Sequence, residues 1–313
     1  MPSMKERFEG CILGLAIGDA LGKPTEFLTL EEIRAKYGPA GVTGFEPSGF
    51  HPAGTYTDDT QMTMAVAESI VAAGNESIDA LMNTIAGRFV TWANSADNNR
   101  SPGTTCMTAC RNLQLGTPWH EAGVSLSKGC GTVMRVAPIG LYYHADLDRV
   151  IEVARASARI THGHETGITA AVGGALAVAL ALQGTPADRL VSEILRLTAH
   201  LDSDYARKLD HVNHVISMEP EQATDELGDA WVAEEALANA LYCFLRSPDD
   251  YSKTVLTAVN TNGDSDSIGT IAGSVSGAYN GISSIPETWR RDVENAQYLH
   301  GIAERLLLAI ERS

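Results

Sequence analysis

Residues 262–269 concentrate oxygen-bearing side chains, with Asp264, Ser265, Asp266 and Ser267 at four consecutive positions. Carboxylate and hydroxyl oxygens are hard ligands, which Mg²⁺ and Mn²⁺ prefer. The same residue types are also common at the first turn of a helix, where they cap free N–H groups and suit the helix dipole. Taken alone, the segment is more typical of a helix start than of a metal site. The choice between the two depends on the other motifs in the chain.

A second acidic segment lies two hundred residues earlier, where Thr57, Asp58 and Asp59 precede a helical pattern at 62–73. Thr57 is a candidate N-cap, with both aspartates in the first turn. Neighbouring side chains on a helix point about 100° apart, so the two carboxylates can serve one cluster only at a helix end. This segment therefore allows both a capping and a ligand role.

Two predicted helices, 5–22 and 266–281, carry a glycine at every fourth position. Each glycine costs roughly 1 kcal/mol in a helix interior. Such regular spacing predicts glycine-lined faces that let helix backbones approach closely, and we expect these two helices to be neighbours. Asp19 and Glu26 flank the end of the first helix. The glycines are Gly10, Gly14, Gly18, Gly22, Gly269, Gly273, Gly277 and Gly281.

The composition favours closely packed helices, because hydrophobic residues make up 44% of the 313 residues and aromatic residues only 6%. No run of alternating strands and no linker is evident, so we predict one all-α domain, a compact multi-helix orthogonal bundle over residues 1–313. Loops are expected at 38–54 and 94–105, and a flexible one at 217–229. Helices are expected at 5–22, 62–73, 76–95, 105–115, 119–127, 147–161, 164–183, 186–200, 207–216, 230–246, 249–260, 266–281 and 293–311.

The net charge of −16 argues against a nucleic-acid partner, so any anionic ligand would have to be met locally by backbone N–H groups or a metal. Five cysteines without paired spacing indicate a reducing compartment. The start of the chain lacks the pattern of a signal peptide. The longest apolar run, residues 168–182, is short for a bilayer and predicts a buried helix. We expect a monomeric cytoplasmic protein with no membrane partner.

Two further segments carry weaker signals. His162 and His164 have the spacing of zinc ligands, but no cysteine accompanies them and zinc is not favoured. Gly129, Cys130 and Gly131 form a glycine-bracketed turn that can present N–H groups to phosphates. An ordinary interhelical turn is the more common explanation of such a pattern.

Taken together, these motifs resemble the ADP-ribosylglycohydrolase family, which includes dinitrogenase reductase-activating glycohydrolases. The order of the motifs is far more specific than any one of them, and the resemblance covers roughly residues 8–282. The segments that carry it are 14–22 with Glu26, 56–60, 129–135, 159–164 and 263–267.

The resemblance implies two Mg²⁺ or Mn²⁺ ions in a cleft, with catalytic roles for Glu26, Asp58 and Asp264. Four carboxylates gathered without cations would repel one another, and two divalent ions cancel their formal charge. Glu26 would contact a metal-bound water or accept a proton. The implied metal ligands are Thr57, Asp58, Asp59, Asp264, Asp266 and Ser267.

The implied reaction is hydrolysis of the glycosidic bond between the distal ribose of ADP-ribose and a modified protein side chain or small conjugate. ADP-ribose is the product, and the transition state resembles an oxocarbenium ion. His162 would line the ribose or adenine side, although a role as a helix-end histidine bonded to a carbonyl is equally compatible. The implied contacts to ADP-ribose are Gly103, Thr104, Thr105, Ser127, Lys128, Gly129, Cys130, Gly131 and His162.

Three positions depart from the family pattern. Ser101 stands where an aspartate accompanies arginine-linked substrates, with Asp97 four residues earlier, so arginine specificity is in doubt. Cys130 replaces the usual asparagine, and Ser267 replaces the commoner threonine while keeping its hydroxyl. Two alternatives stay open: a binuclear hydrolase of another nucleotide or phosphate ester, and a non-catalytic relative. The non-catalytic relative is disfavoured because all five acids of the implied site are retained. They are Glu26, Asp58, Asp59, Asp264 and Asp266.

Overall fold

The computed structural model describes residues 2–311, and this part of the chain folds into sixteen α-helices with no β-strand beyond isolated bridges. The all-α prediction is therefore confirmed. Short 3₁₀ turns occur at Cys130–Thr132, Ala187–Arg189 and Ile282–Ser284. The helices are α1 Met4–Gly22, α2 Leu30–Tyr37, α3 Asp58–Ala73, α4 Ile78–Ala93, α5 Thr104–Gln114, α6 Ala137–Tyr142, α7 Leu147–Arg159, α8 Glu165–Leu182, α9 Leu190–Thr198, α10 Ser203–Val215, α11 Pro220–Leu227, α12 Ala233–Arg246, α13 Tyr251–Val259, α14 Ser265–Asn280, α15 Glu287–Asp292 and α16 Ala296–Glu311.

The two glycine-lined helices, α1 and α14, lie against each other as expected. A β-carbon on Gly18 would lie 2.0 Å from the Gly269 carbonyl oxygen, and one on Gly14 would lie 2.5 Å from the Gly273 carbonyl oxygen. Any side chain at these positions would push the backbones apart. The pairing is antiparallel, so the last turn of α1 lies beside the first turn of α14. The resulting contact, the glycine seam, brings the motif at 14–22 to the acidic segment at 264–267.

Helix α8 crosses the interior. It is long and apolar enough by length and composition to span a bilayer, but 94% of it is buried inside the fold. It packs against α6, α7, α12 and α14. Buried apolar side chains from α1 through α16 join it in one connected core. The helix therefore has the surroundings of a core helix, as the sequence predicted.

Several predicted elements differ from the structure. Residues 119–127 are not helical, because Val124 instead pairs with His162 through backbone bonds between neighbouring loops. The loop predicted at 217–229 contains helix α11, which starts at Pro220, a favoured first helical residue. The short helices α2, α6 and α15 were not predicted. Helix α2 has a complete capping box between Thr29 and Glu32.

Candidate active site

A cleft of about 380 Å³ opens where α3, α5 and α14 begin. Its two sides differ in chemistry. One side, the acidic wall, consists of Glu26, Asp58, Asp59, Asp264, Asp266 and Ser267. The other side, the amide wall, consists of Gly103, Thr104, Thr105, Gly129, Cys130, Gly131 and His162. The rest of the lining is Phe27, Ser101, Pro102, Cys106, Met134 and Trp231.

The acidic wall joins the first turns of α3 and α14. Asp58 and Asp59 open α3, and Asp264 and Asp266 flank the start of α14. The four aspartates are buried, and the Ser267 hydroxyl donates a 2.9 Å hydrogen bond to Asp59 Oδ2 across the two segments. The structure therefore brings these residues into one cluster, although they come from segments two hundred residues apart.

Asp19, which was given no role from the sequence, holds the start of α3 in place. Its side chain is fully buried and accepts hydrogen bonds from the backbone N–H groups of Thr57 (2.8 Å) and Thr60 (2.9 Å). The Thr60 hydroxyl donates a further bond of 2.5 Å. Thr57 itself caps α3 through a 3.3 Å bond from the N–H of Asp59, and it lies behind the cleft surface. A carboxylate within an apolar, glycine-rich helix was the available signal for Asp19.

The acidic wall gathers carboxyl groups without a basic partner. Among residues 2–311, no Lys or Arg forms an ion pair with Glu26 or with the four aspartates. Burial, followed by repulsion from Asp266, raises the pKa of Asp58, Asp59 and Glu26. Burial likewise raises the pKa of Asp264. Such a cluster favours the arrival of positive charge.

Glu26 lies at the edge of the cleft beside an exposed aromatic pair that sequence reasoning missed. The rings of Phe27 and Trp231 stack with centroids 5.2 Å apart. Phe27 is 61% exposed and has a φ of 67°, a left-handed conformation that is unusual for a bulky residue. The Phe27 N–H donates to the Gly263 carbonyl at 2.9 Å and the Gly263 N–H donates to the Leu28 carbonyl at 3.3 Å, which ties this segment to the start of α14. The pair therefore forms the outer rim of the acidic wall.

The start of α5 supplies the first part of the amide wall. Gly103 is the N-cap residue and offers no side chain to the free N–H groups of the first turn, which also contains no acid. Its own N–H donates to Asp58 Oδ2 at 3.3 Å. An uncapped helix start carries partial positive charge and open hydrogen-bond donors. This part of the wall can therefore receive an anion without any basic side chain.

The glycine turn and His162 form the rest of the amide wall. A β-carbon on Gly129 would lie 3.3 Å from His162 Nε2, so the ring lies close behind the turn. Ser127 and Lys128 lie outside the cleft lining. The Ser127 hydroxyl bonds to that of Thr105 at 2.9 Å, and the Lys128 ammonium pairs with buried Glu234.

Cys130 connects the two walls. Its thiol donates to Asp264 Oδ2 at 2.7 Å and lies 3.6 Å from the Ser267 hydroxyl. Burial and the charge of Asp264 raise the pKa of this thiol well above its usual range. The neutral thiol therefore serves as a hydrogen-bond donor to the acidic wall. Asp97, the acid nearest in sequence to Ser101, lies in a neighbouring groove and not in this cleft.

The donor set of the acidic wall fits hard divalent cations. It offers carboxylate and hydroxyl oxygens with no competing ammonium or guanidinium group. Within residues 2–311, no three His, Cys, Asp or Glu side chains already have an arrangement that could hold a metal ion as they stand. The Ser267–Asp59 and Cys130–Asp264 hydrogen bonds occupy oxygens that such an ion would use. Side-chain rotation would therefore have to accompany binding.

A family model and several known proteins match this chain over nearly its whole length. The ADP-ribosylglycohydrolase family model matches residues 1–313. Human ADP-ribosylhydrolase ARH3 is 30% identical over 351 residues, covering 98% of this chain and 94% of ARH3. The ADP-ribosyl-dinitrogen reductase glycohydrolase of Rhodospirillum rubrum is 30% identical over 298 residues, covering 92% of this chain and 90% of that protein. A solved structure described as an ADP-ribosylglycohydrolase-related protein complex matches with a TM-score of 0.80 and 30% identity, over 98% of both chains. This chain therefore belongs to the ADP-ribosylglycohydrolase family.

Proposed function

We propose that this protein is a metal-dependent hydrolase that releases ADP-ribose from modified side chains. The observation that carries the proposal is the lining of the cleft: five buried or half-buried carboxyl groups without a Lys or Arg ion-pair partner share it with the uncapped first turn of α5. The acidic wall suits divalent cations and the amide wall suits a diphosphate. Few ligands other than a nucleotide diphosphate carrying a ribose use both.

The metal ligands we propose are those implied by the sequence, for two Mg²⁺ or Mn²⁺ ions. When bound, such ions lower the pKa of coordinated water and orient ligand oxygens. The protein itself supplies the other functions. Asp19 fixes the start of α3, and the buried aspartates stabilise positive charge that develops on the ribose. Burial, and then repulsion from Asp266 and Asp264, raise the pKa of Glu26. A bound cation would offset this repulsion, and Glu26 would then accept a proton at the cleft edge. The proposed metal ligands are Thr57, Asp58, Asp59, Asp264, Asp266 and Ser267.

We propose that the diphosphate binds at the start of α5 and at the glycine turn 129–131. The uncapped first turn of α5 supplies most of the donors, because in the glycine turn the N–H groups of Gly129 and Cys130 already donate to the Ser127 hydroxyl (3.5 Å) and the Trp231 carbonyl (3.3 Å). Backbone donors of this kind would let a protein of net charge −16 hold an anion. Lys128 is not part of this proposal, because Glu234 already pairs with its ammonium group. The modified side chain would leave past Phe27 and Trp231, the exposed residues at the cleft rim.

For the linkage, we propose that O-linked conjugates are better substrates than arginine-linked ones. Ser101 lines the cleft and Asp97 does not, so the lining residues provide no carboxylate at this point to pair with a guanidinium. A serine-linked side chain carries no charge and needs no such partner. The preference is a difference in transition-state binding and is measured as a ratio of kcat/KM values.

A single assay tests the proposal. Peptides of matched sequence carrying serine-linked or arginine-linked ADP-ribose, together with acetyl-linked ADP-ribose, are incubated with Mg²⁺, with Mn²⁺ and with chelator. We expect release of ADP-ribose with either metal, loss of release with chelator, and a higher kcat/KM for the serine-linked peptide. Release that survives chelation would refute the metal requirement. No release from any conjugate would refute the hydrolase itself, and faster release from arginine would refute the linkage preference.

A further inference from the structure

Arg135 is a fully buried cation that lies behind the amide wall. Its side chain has no exposed surface, and among the described residues no carboxylate forms an ion pair with it. Burial lowers its pKa. A buried charge without a counter-ion is costly unless its hydrogen bonds are well satisfied, and it suggests a role beyond packing. The mechanism proposed above makes no use of this residue.

The guanidinium contacts both the glycine turn and the segment that precedes His162, and its Nη1 also lies 3.7 Å from the Cys106 sulfur. One terminal nitrogen, Nη1, donates to the Gly131 carbonyl. The other, Nη2, donates to the Ser157 carbonyl at 3.2 Å and to the Thr161 hydroxyl at 2.7 Å. The guanidinium carbon also lies 4.8 Å from the centre of the Phe89 ring. Arg135 therefore joins the glycine turn to the segment that carries His162.

Thr161 forms a hydrogen bond with the ring of His162 as well as with Arg135. Its hydroxyl oxygen lies 2.8 Å from His162 Nδ1. Because Arg135 can only donate, the Thr161 oxygen accepts from it, and the hydroxyl proton is free to go elsewhere. Two other acceptors are poorer: the Ala158 carbonyl lies 3.5 Å away and already accepts two backbone N–H bonds, and the Cys106 sulfur is a weak acceptor. The proton is therefore best placed on the short bond to Nδ1.

The hydrogen bond at Nδ1 determines whether Nε2, the other ring nitrogen of His162, carries a proton. Burial, and then the charge of Arg135, lower the pKa of His162 to about 3, so the ring is neutral at pH 7. A neutral imidazole whose Nδ1 accepts a hydrogen bond carries its proton on Nε2. Nε2 has no protein partner within the described residues, and the ring lines the cleft although it is only 1% exposed.

We propose that Arg135 and Thr161 form a positioning relay that fixes the tautomer of His162, so that its Nε2–H donates to a ligand oxygen in the cleft. Neither Arg135 nor Thr161 lines the cleft. They act by deciding whether the ring offers a donor or an acceptor. The identity of the ligand, ADP-ribose, rests on the proposed function, whereas the tautomer is a property of the protein alone.

The test is NMR of the free protein labelled with ¹⁵N-histidine, because long-range ¹H–¹⁵N correlations distinguish a protonated ring nitrogen from a bare one. The chain has nine histidines, and the spectrum of His162→Gln identifies the signal. Thr161→Val removes the hydroxyl at constant shape, and Thr161→Ser restores it. Thr198→Val, which removes another fully buried threonine hydroxyl, on α9, is the matched control. Affinity for ADP-ribose is measured on each variant by calorimetry.

We expect the wild-type ring, the Thr161→Ser ring and the control to be protonated on Nε2. Thr161→Val should move proton density to Nδ1 and weaken ADP-ribose binding by about fivefold to tenfold, the effect of one lost hydrogen bond. If that variant does not fold, Arg135→Lys should show the same change in tautomer, because a single ammonium cannot reproduce the two-sided contact of a guanidinium.

A wild-type ring protonated on Nδ1, or an unchanged tautomer in both Thr161→Val and Arg135→Lys, would overturn the relay. Failure of the wild-type protein to bind ADP-ribose would count against the proposed function, and the NMR result would still decide the relay. The two failures are therefore distinguishable.

Discussion

The two walls of the cleft are built in opposite ways. The acidic wall presents side-chain oxygens from helix starts whose positions are fixed by the glycine seam and by Asp19. The amide wall presents backbone N–H groups and one neutral histidine from turns, with a buried arginine behind them. A site for cations is thus assembled from charged side chains, whereas the site proposed for an anion uses almost no exposed charge. In a chain of net charge −16, the second arrangement avoids placing basic side chains beside five carboxylates.

Removing one carboxylate from the acidic wall should have the largest effect of all, a loss of catalytic activity. We expect Asp264→Asn, and likewise Asp58→Asn, to lower kcat by a factor on the order of 10²–10³ or more, because each removes a charge that the transition state requires. The fold should persist, since a repulsive pair is relieved. Activity and circular dichroism are measured together, with exposed Asp97→Asn as the control. Activity near the wild-type level in either variant would remove that residue from the site.

Forcing α1 and α14 apart behind the acidic wall should have the next largest effect, a loss of stability. Gly18→Ala places a methyl group 2.0 Å from the Gly269 carbonyl oxygen, and we expect a loss of about 3 kcal/mol in the free energy of unfolding. Gly87→Ala is the matched control, because a β-carbon there meets nothing within 4 Å on the exposed side of α4. It should stabilise by about 0.5–1 kcal/mol. Equal denaturation midpoints for the two variants would contradict the glycine seam.

Cation binding should then stabilise the acidic wall. At about a hundred times its Kd, a bound metal adds about 2.7 kcal/mol, which corresponds to a rise in Tm of about 4 °C for a chain of this length. We expect Mg²⁺ or Mn²⁺ to raise the Tm, chelator to reverse the rise, and Asp266→Asn to reduce it. A Tm that rises equally in the variant would place the binding elsewhere.

The amide wall can be probed with a smaller change at the start of α5. Gly103→Ser supplies a capping hydroxyl that competes with a phosphate for the first-turn N–H groups, whereas Gly103→Ala adds the same β-carbon without the hydroxyl. Neither side chain meets a neighbour within 4 Å of its β-carbon. Relative to the alanine variant, serine should raise the Tm and weaken ADP-ribose binding by about threefold to fivefold. Calorimetry showing equal affinities would argue that the phosphates bind elsewhere.

The acidic wall was largely readable from the sequence, and the amide wall less so. The order of the motifs, through the resemblance to the family, was enough to predict that Asp58 and Asp264 share one site. Lys128 looked like a phosphate ligand because it adjoins a glycine turn, yet its partner Glu234 comes 106 positions later. Local sequence does not contain such a pairing. The helix predicted at 119–127 failed for the same reason, since the bonds of Val124 to the residues around His162 override local propensity.

Other omissions had a visible signal. The capping box from Thr29 to Glu32 marks α2 directly. Asp19 stands among glycines and apolar residues on a helix that the sequence already indicated as buried, where an acid needs hydrogen-bond partners. Arg135 and Thr161 are different: both lie in segments recognised from the sequence, but only the structure shows that they connect to each other and to His162.

The glycine seam also has a consequence for how the chain folds. It joins the first helix of the protein to α14, and the Tyr251 hydroxyl reinforces it by donating to the Gly14 carbonyl across 237 positions of sequence. Contacts of such high sequence separation form late, because a long loop must close first. A nascent chain that has not yet released α14 from the ribosome therefore has Asp58 and Asp59 but no opposing aspartates. The acidic wall can therefore assemble only after α14 has left the ribosome.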